Sequence, residues 1–189
     1  MNETLGSIYE RSSVRKYKSE KVPENDLREI LKAGFCAANG MNRQAIEFAV
    51  MENAGSIFKY SRKIISKLAE EARHSGNSNP IINRMAEDPA ADIFYGAPAV
   101  IFVFAGQNAI TPVEDGSLAV GNMMLAAHSM GYGTCFIGFA AGLGHDTEFL
   151  EECGVPAGHR YVACMIIGKP DGNIEKHPRS DVKIIKWIK

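Results

Sequence analysis

Two arginines enclose a pair of serines directly after the first predicted helix. The stretch ERSSVRKY, residues 10–17, is called here the arginine–serine segment, and it contains Arg11, Ser12, Ser13 and Arg15. Guanidinium groups and serine hydroxyls match the oxygen atoms of a phosphate monoester, which carries about two negative charges at neutral pH. The segment therefore indicates an anion site, and the alternative is a solvated exit from the helix.

Two side-chain amides follow a glycine-containing turn. In AANGMNRQAIEF, residues 37–48, Asn42 and Gln44 stand two residues apart. In an extended segment, side chains at this spacing point the same way and offer two carboxamides to one partner. Such a partner would mix donors and acceptors, as a heterocycle or a sugar chain does. A plain loop explains the two amides equally well.

The remaining chemically active side chains form no comparable cluster. His128 lies in a predicted helix rich in small residues and His145 at a predicted helix start, so structural roles are expected for both. Asp115 stands near the start of a predicted helix, which favours a capping role over metal binding. No His, Cys or carboxylate cluster has the spacing of a metal site, and no metal is expected. The four cysteines form no Cys-x-x-Cys pair, which favours free thiols in a reducing compartment.

Hydrophobic periodicity predicts helices and strands that position these residues. Helices are predicted over residues 4–10, 22–38, 56–74, 114–131 and 145–154, and strands over residues 47–52, 99–105, 133–140 and 160–168. The strand 99–105 does not alternate, which is typical of a strand covered on both faces. The helix 114–131 is crowded with small residues that allow close approach, so it is expected at the centre of the domain.

The composition of residues 74–95 differs from that of the predicted helices and strands. Much of this stretch is rich in Ser, Asn, Gly and Pro, which predicts a mobile, irregular excursion that shapes the substrate entrance as a lid. Arg84, Phe94 and Tyr95 are candidate substrate contacts within it. Their alternative roles are helix surface and core.

Composition excludes several classes of protein. The 189 residues carry a net charge of −1, so no overall field draws the protein to nucleic acid or to an anionic membrane. The longest apolar run, residues 97–106, is about half of what a membrane span needs. No signal peptide is indicated at the N-terminus. We expect one domain over residues 1–189 in a soluble, cytoplasmic protein.

The order and spacing of four stretches resemble the nitroreductase family of FMN-dependent flavoproteins. These are RSSVRKY, GMNRQ, EDGSLAVGNMMLAAHSMGYGTCFIG, and GKP followed by HPR. The resemblance implies an α+β fold with a central, mostly antiparallel β-sheet flanked by helices. It also implies an intertwined homodimer with FMN at the interface.

The same resemblance assigns an FMN site residue by residue. The phosphate would be held by Arg11, Ser12, Ser13, Arg15 and Arg179. Asn42 and Gln44 would contact the ribityl chain or the ring from the partner subunit. Ile137 and Gly138 would pass beside the isoalloxazine, with a backbone N–H aimed at its N5 atom. No catalytic side chain is implied, because the flavin N5 carries the chemistry.

Three departures from the family pattern affect these expectations. Ala38-Asn39 replaces Pro-Ser before the turn, and Ala45-Ile46 replaces Pro-Trp after Gln44, which predicts a less rigid backbone there. His177 stands where a Lys or Arg is common, two residues before Arg179. Phosphate affinity is then expected to fall as the imidazole loses its proton above about pH 6.5.

The implied activity is NADH- or NADPH-dependent reduction of nitroaromatics, quinones or related electron-poor small molecules by ping-pong hydride transfer. The alternatives are reductive dehalogenation or flavin cleavage on the same fold, or a non-catalytic FMN-binding or storage protein. The C-terminal stretch SDVKIIKWIK is too apolar for a free tail, so it is expected to pack across the partner subunit. The alternative is a strand that closes its own sheet.

Overall fold

The computed structural model describes residues 2–76, 79–174, 176 and 178–189. Four strands form one antiparallel sheet in the order β1-β2-β4-β3. They are β1 (Ile46–Met51), β2 (Ala99–Ala105), β3 (Gly133–Phe136) and β4 (Arg160–Gly168). Six α-helices accompany the sheet in the described part of the chain. They are α1 (Glu3–Glu10), α2 (Glu24–Phe35), α3 (Ala54–His74), α4 (Pro80–Glu87), α5 (Pro112–Ser129) and α6 (Thr147–Glu152). The α+β class and the antiparallel sheet expected from the sequence are confirmed.

Strand β2 is buried along its whole length, as its non-alternating sequence predicts. Successive side chains of a strand point to opposite faces, so β2 contributes to two separate hydrophobic clusters. Phe102 belongs to the cluster that includes Tyr60 of α3 and Phe149 of α6. Ile101 belongs to the cluster that includes Ile30 of α2 and Met123 of α5. The molecule therefore has three layers, with the sheet between two layers of helices.

Helix α5 packs at the centre because small residues let it approach its neighbours closely. A Cβ atom on Gly116 would lie 2.5 Å from Cγ1 of Val162 on β4. A Cβ atom on Gly34 of α2 would lie 2.6 Å from Cγ of Met123. The central position expected for α5 from its composition is confirmed. It brings the start of α5 against the turn that carries Asn42 and Gln44.

The prediction of an irregular excursion over residues 74–95 is wrong for residues 80–87, because the structure forms helix α4 there. The Asn79 side chain accepts hydrogen bonds from the N–H groups of Ile81 and Ile82, and Pro80 occupies the first turn. Asn followed by Pro favours turns, but the same pair starts a helix when an apolar face follows it.

Helix α3 holds the end of this stretch. Nη1 of Arg62 donates to the carbonyl oxygens of Met85 and Asp88 at 3.2 and 2.7 Å. Phe94 is fully buried in the core, so its predicted contact with substrate is wrong. Arg84 is exposed, which agrees with the helix-surface alternative.

The C-terminal residues 178–189 join no strand of the sheet. The alternative in which they close their own sheet is therefore wrong for the single chain. Five apolar side chains of this tail are more than half exposed. They are Val182, Ile184, Ile185, Trp187 and Ile188.

Candidate functional site

The arginine–serine segment lies beside strand β3. Ser13 forms a parallel bridge with Thr134, and the Val14 N–H donates to the Thr134 carbonyl oxygen at 2.9 Å. The approach requires a glycine in β3, because a Cβ atom on Gly133 would lie 2.6 Å from Cγ2 of Val14. The Tyr17 hydroxyl donates to the Val14 carbonyl oxygen at 2.5 Å, and burial raises the pKa of Tyr17 well above its usual range. The phenol therefore stays protonated and keeps this end of the segment in place.

The two arginines of this segment have no carboxylate partner among the described residues. Nη1 of Arg11 is buried and has no hydrogen-bond partner in the described part of the chain. Arg15 is exposed and forms no ion pair with any described residue. Arg11 is half-buried, and a buried N–H group without an acceptor is costly; an anion held by both guanidiniums and the hydroxyls of Ser12 and Ser13 would remove that cost. The geometry thus favours the anion site over the solvated helix exit.

Tyr95 belongs to this site, although its sequence position does not place it there. The guanidinium carbon of Arg15 lies 6.0 Å from the centre of the Tyr95 ring. Tyr95 has φ 57°, a left-handed conformation that is unusual for a bulky residue. The Asp92 carboxylate accepts the N–H groups of Phe94 and Gly96 at 2.8 Å each and holds this turn. No local sequence signal links Tyr95 to a segment that ends at residue 17.

Strand β3 connects the anion site to Ile137 and Gly138. The four residue-to-residue steps from Thr134 to Gly138 span about 13 Å in an extended chain. Ile137 is buried and its N–H donates to the Cys164 carbonyl oxygen at 2.9 Å, so that N–H is already engaged. Gly138 is exposed and begins the 3-10 helix Gly138–His145, whose first N–H groups have no partner within the helix. Of the two residues, Gly138 is the one that can offer a backbone donor.

Asn42 and Gln44 lie in a tight turn, residues 39–44, called here the amide turn. The backbone is not extended, as the spacing argument assumed: Asn42 has φ 51° and Gln44 has φ 50°. The two carboxamides still converge, because Gln44 Nε2 donates to Asn42 Oδ1 at 3.1 Å. The Asn39 side chain accepts the Gln44 N–H at 2.9 Å. Asn39, which stands where the family pattern has serine, thus holds the turn through its side-chain carbonyl oxygen.

Asp115 supports this turn in place of capping its own helix. Its side chain is buried, and it accepts the Gly40 N–H and the Thr111 hydroxyl. The expected capping bond to an N–H group of α5 is absent from the described part of the chain. The position in the first turn of α5 still favours a negative charge.

The amide turn and the arginine–serine segment lie at opposite corners of the sheet. The amide turn leads into β1 at one edge, whereas the arginine–serine segment pairs with β3 at the other, about 14 Å away across three strand spacings. Along the strands, Ile46 is level with Arg160 and Thr134 is level with Ile167, a difference of about 23 Å. In one protomer these two groups do not converge on one place.

The other predicted side chains are not brought to either group. Arg179 is exposed and makes no hydrogen bond or ion pair with a described residue. His177 lies outside the described residues. His128 is in the last turn of α5, and His145 is exposed at the end of its 3-10 helix. Among the described residues, no group of three or more His, Cys, Asp or Glu side chains could hold a metal ion.

Comparison with known proteins assigns the chain to a family. The model of the nitroreductase family matches residues 8–169, which run from α1 to the end of β4. The chain belongs to the nitroreductase family. Among solved structures, a nitroreductase with bound FMN from Bacteroides fragilis has a TM-score of 0.86 at 26% sequence identity, and the match covers 100% of both chains.

Two curated relatives of this nitroreductase-family chain have different activities in their names. An NADPH-flavin oxidoreductase from Vibrio harveyi is 27% identical over 191 residues, which cover 98% of this chain and 73% of that protein. An iodotyrosine deiodinase from Thermotoga neapolitana is 27% identical over 175 residues, which cover 91% of each. None of the helices in the described part of the chain has the length and apolar character needed to span a bilayer.

Proposed function

We propose that this protein is an FMN-dependent oxidoreductase that uses NADH or NADPH to reduce nitroaromatics, quinones or related electron-poor small molecules. The observation that carries the proposal is the buried Nη1 atom of Arg11, which lies beside Ser12 and Ser13 and has no hydrogen-bond partner among the described residues. These residues fit the phosphate of FMN, because a dianion supplies the acceptors that the segment lacks. The match to FMN-bound nitroreductase structures supports the same cofactor.

Each group of residues has a defined task in this proposal. The arginine–serine segment binds the phosphate. Gly138 presents a backbone donor two residues beyond the end of β3 and about 13 Å from Thr134, where the ring would lie. Bound FMN would supply the transfer of hydride equivalents between the nicotinamide donor and the acceptor. No side chain is assigned the role of general acid or base in this proposal.

The site is complete only in a homodimer. The carboxamides of Asn42 and Gln44 lie at the opposite corner of the sheet from the arginine–serine segment, so they would reach the cofactor bound by the partner. The exposed apolar tail supports this assembly, since contact with a partner subunit would bury five large apolar side chains that are exposed in the single chain. We propose that the tail packs across the partner subunit. We also propose a cytoplasmic location, in line with a chain that carries four free cysteines.

The test is an anaerobic stopped-flow experiment on protein reconstituted with FMN. The reconstituted protein is mixed with NADH or with NADPH while the flavin absorbance is followed, and a nitroaromatic or a quinone is then added. Rapid bleaching by one nucleotide and recovery with the acceptor are expected. If the protein does not bind FMN, the proposal fails. If FMN binds and only dithionite bleaches it, reduction by NADH or NADPH is excluded, and a dehalogenase or a non-catalytic FMN-binding protein takes its place.

Reductive dehalogenation is the second candidate, because the iodotyrosine deiodinase is as similar to this chain as the flavin oxidoreductase is. The two activities separate in one assay. FMN-loaded protein is reduced with dithionite and then mixed with iodotyrosine or with a nitroaromatic. Release of iodide with no reaction of the nitroaromatic would replace the first candidate by the second.

A further inference from the structure

Asp115 joins the amide turn to the core of the molecule. Its side chain is only 3% exposed, and Oδ1 accepts the Gly40 N–H at 3.0 Å and the Thr111 hydroxyl at 2.7 Å. Oδ2 is also buried and has no hydrogen-bond donor in the described part of the chain. A buried carboxylate is expensive to keep, and two neutral donors compensate for it only in part. A buried side-chain oxygen without a donor calls for an explanation.

The amide turn needs an outside anchor. Met41, Asn42 and Gln44 all adopt left-handed backbone conformations, with φ of 52°, 51° and 50°. Such conformations cost free energy in residues that have a Cβ atom, and they persist only where the surroundings impose them. The Met41 side chain is 76% exposed, so it does not provide an anchor through packing.

The contact with α5 provides that anchor. The hydrogen bond from Gly40 to Asp115 joins residues 75 positions apart in the chain, whereas the bonds from Gln44 to Asn39 and to Asn42 stay within the turn. The turn is also pressed against α5, since a Cβ atom on Gly40 would lie 2.6 Å from Thr111 Oγ1. The orientation of the amide turn therefore depends on the start of α5.

We propose that Asp115 is a positioning residue that holds the amide turn so that Asn42 and Gln44 face the cofactor of the partner subunit. It acts through the turn and does not touch the cofactor itself. The inference rests on the proposed function, because FMN is the ligand to which the carboxamides are presented.

The test is a double-mutant cycle on the affinity for FMN, measured from the quenching of FMN fluorescence. Asp115→Ala is expected to weaken binding about tenfold, whereas the matched control Glu114→Ala, at an exposed carboxylate in the same helical turn, stays within about twofold. The pair Asn42→Ala with Gln44→Ala is expected to weaken binding as well. Adding Asp115→Ala to that pair is expected to cause less than about a twofold further loss, because Asp115 acts only through these two residues.

The conservative variant separates positioning from general support of the fold. Asp115→Asn keeps the Oδ1 acceptor for Gly40 and Thr111 and is expected to bind FMN within about threefold of the wild type. If Asp115→Ala and the amide pair weaken binding additively, or if folded Asp115→Asn is as weak as Asp115→Ala, the positioning role is wrong.

If Asp115→Ala does not fold, a second variant tests the positioning role. Gly40→Ala displaces the turn from Thr111 and leaves the carboxylate in place, and its effect on FMN affinity is also expected to vanish in the background of the amide pair. An additive effect would overturn the proposal. A wild-type protein that does not bind FMN would instead reject the proposed function, before any variant is made.

Discussion

The guanidinium carbon of Arg15 lies 6.0 Å from the centre of the Tyr95 ring, although the two residues are 80 positions apart. Tyr95 adopts a left-handed backbone conformation with φ 57°, and its side chain is 38% exposed. A strained aromatic residue beside an unpaired guanidinium indicates that the fold maintains the contact for a reason other than stability.

We expect the face of the Tyr95 ring to orient Arg15 for the anion. Tyr95→Leu should weaken FMN binding about two- to fivefold, because a cation–π contact at an exposed site contributes about 0.5–1 kcal/mol. Tyr95→Phe keeps the ring and serves as the matched control with unchanged affinity. Equal FMN affinities of Tyr95→Leu and Tyr95→Phe in the fluorescence titration would show that the ring does not orient Arg15 for the anion.

Arg11 should distinguish FMN from riboflavin, which lacks the phosphate. Arg11→Ala is expected to weaken FMN binding about 10- to 100-fold, since hydrogen bonds to charged groups contribute about 1.5–3 kcal/mol. Riboflavin affinity should not change. The melting temperature of the apoprotein should hold or rise, because the variant removes a buried N–H group that has no acceptor among the described residues.

The control for this comparison is Arg28→Ala, an exposed guanidinium on α2 that pairs with Glu24. It should change neither affinity. An equal loss for FMN and riboflavin in Arg11→Ala would mean that the arginine supports the site as a whole and does not hold the phosphate.

Helices α3 and α6 are linked by an ion-pair network whose stability depends on pH. Hydrogen bonds from Ser56, Tyr60 and Lys59 lower the pKa of Glu152 to about 2. A carboxyl group with a lower pKa in the folded state stabilises the protein above its ordinary pKa of about 4.3, and this contribution is lost as the pH falls towards the folded value. The melting temperature should therefore fall more steeply between about pH 5 and pH 2 in the wild type than in Glu152→Gln.

The neighbouring exposed residue provides the control, since Glu151 makes no hydrogen bond or ion pair with its side chain in the described part of the chain. Glu151→Gln should keep the wild-type slope of melting temperature against pH. Identical slopes for wild type and Glu152→Gln would show that the Glu152 contacts do not persist in solution.

The close approach of α5 to the sheet should be sensitive to one methyl group. Gly116→Ala places a Cβ atom 2.5 Å from Cγ1 of Val162, and such overpacking costs about 1–3 kcal/mol in the free energy of unfolding. Val162→Ala in the same chain should restore part of the loss, because the two residues are in contact and their effects couple. Urea unfolding of the four proteins measures both effects. A fully additive result would place the strain elsewhere.

The tail carries the only tryptophan of the chain, which reports on the proposed homodimer. Trp187 is 71% exposed in the single chain. If the tail packs across the partner, native apoprotein should show blue-shifted emission and weak quenching by iodide relative to protein unfolded in urea. Light scattering should give twice the chain mass of 20.6 kDa. Native emission identical to that of the unfolded protein would contradict the packing of the tail.

Local patterns determined much of the fold. The unbroken apolar run of β2, the small residues of α5 and the start and stop signals of the helices each depend on neighbours within a few positions. These patterns therefore predicted the strands and most helices, whereas the α+β class followed from the resemblance to the nitroreductase family. The arginine–serine segment was also visible, because its chemistry lies within five consecutive residues, Arg11 to Arg15.

The backbone conformation of the amide turn is a feature that local sequence patterns did not predict. Spacing placed Asn42 and Gln44 on one side of an extended segment, but the turn is left-handed at both residues. The turn is hydrogen-bonded through Gly40 to Asp115, which is distant in sequence and was expected to cap its own helix. A contact across 75 residues leaves no periodic signal in the chain.

What the sequence alone determined is therefore the set of chemical groups and the elements that carry them. Tertiary structure alone decided that Nη1 of Arg11 is buried without a partner among the described residues, that Tyr95 faces Arg15, and that the amide turn lies at the opposite corner of the sheet. The physical reason is that burial and long-range contacts depend on how all the elements pack together, whereas propensity and periodicity depend only on neighbouring residues.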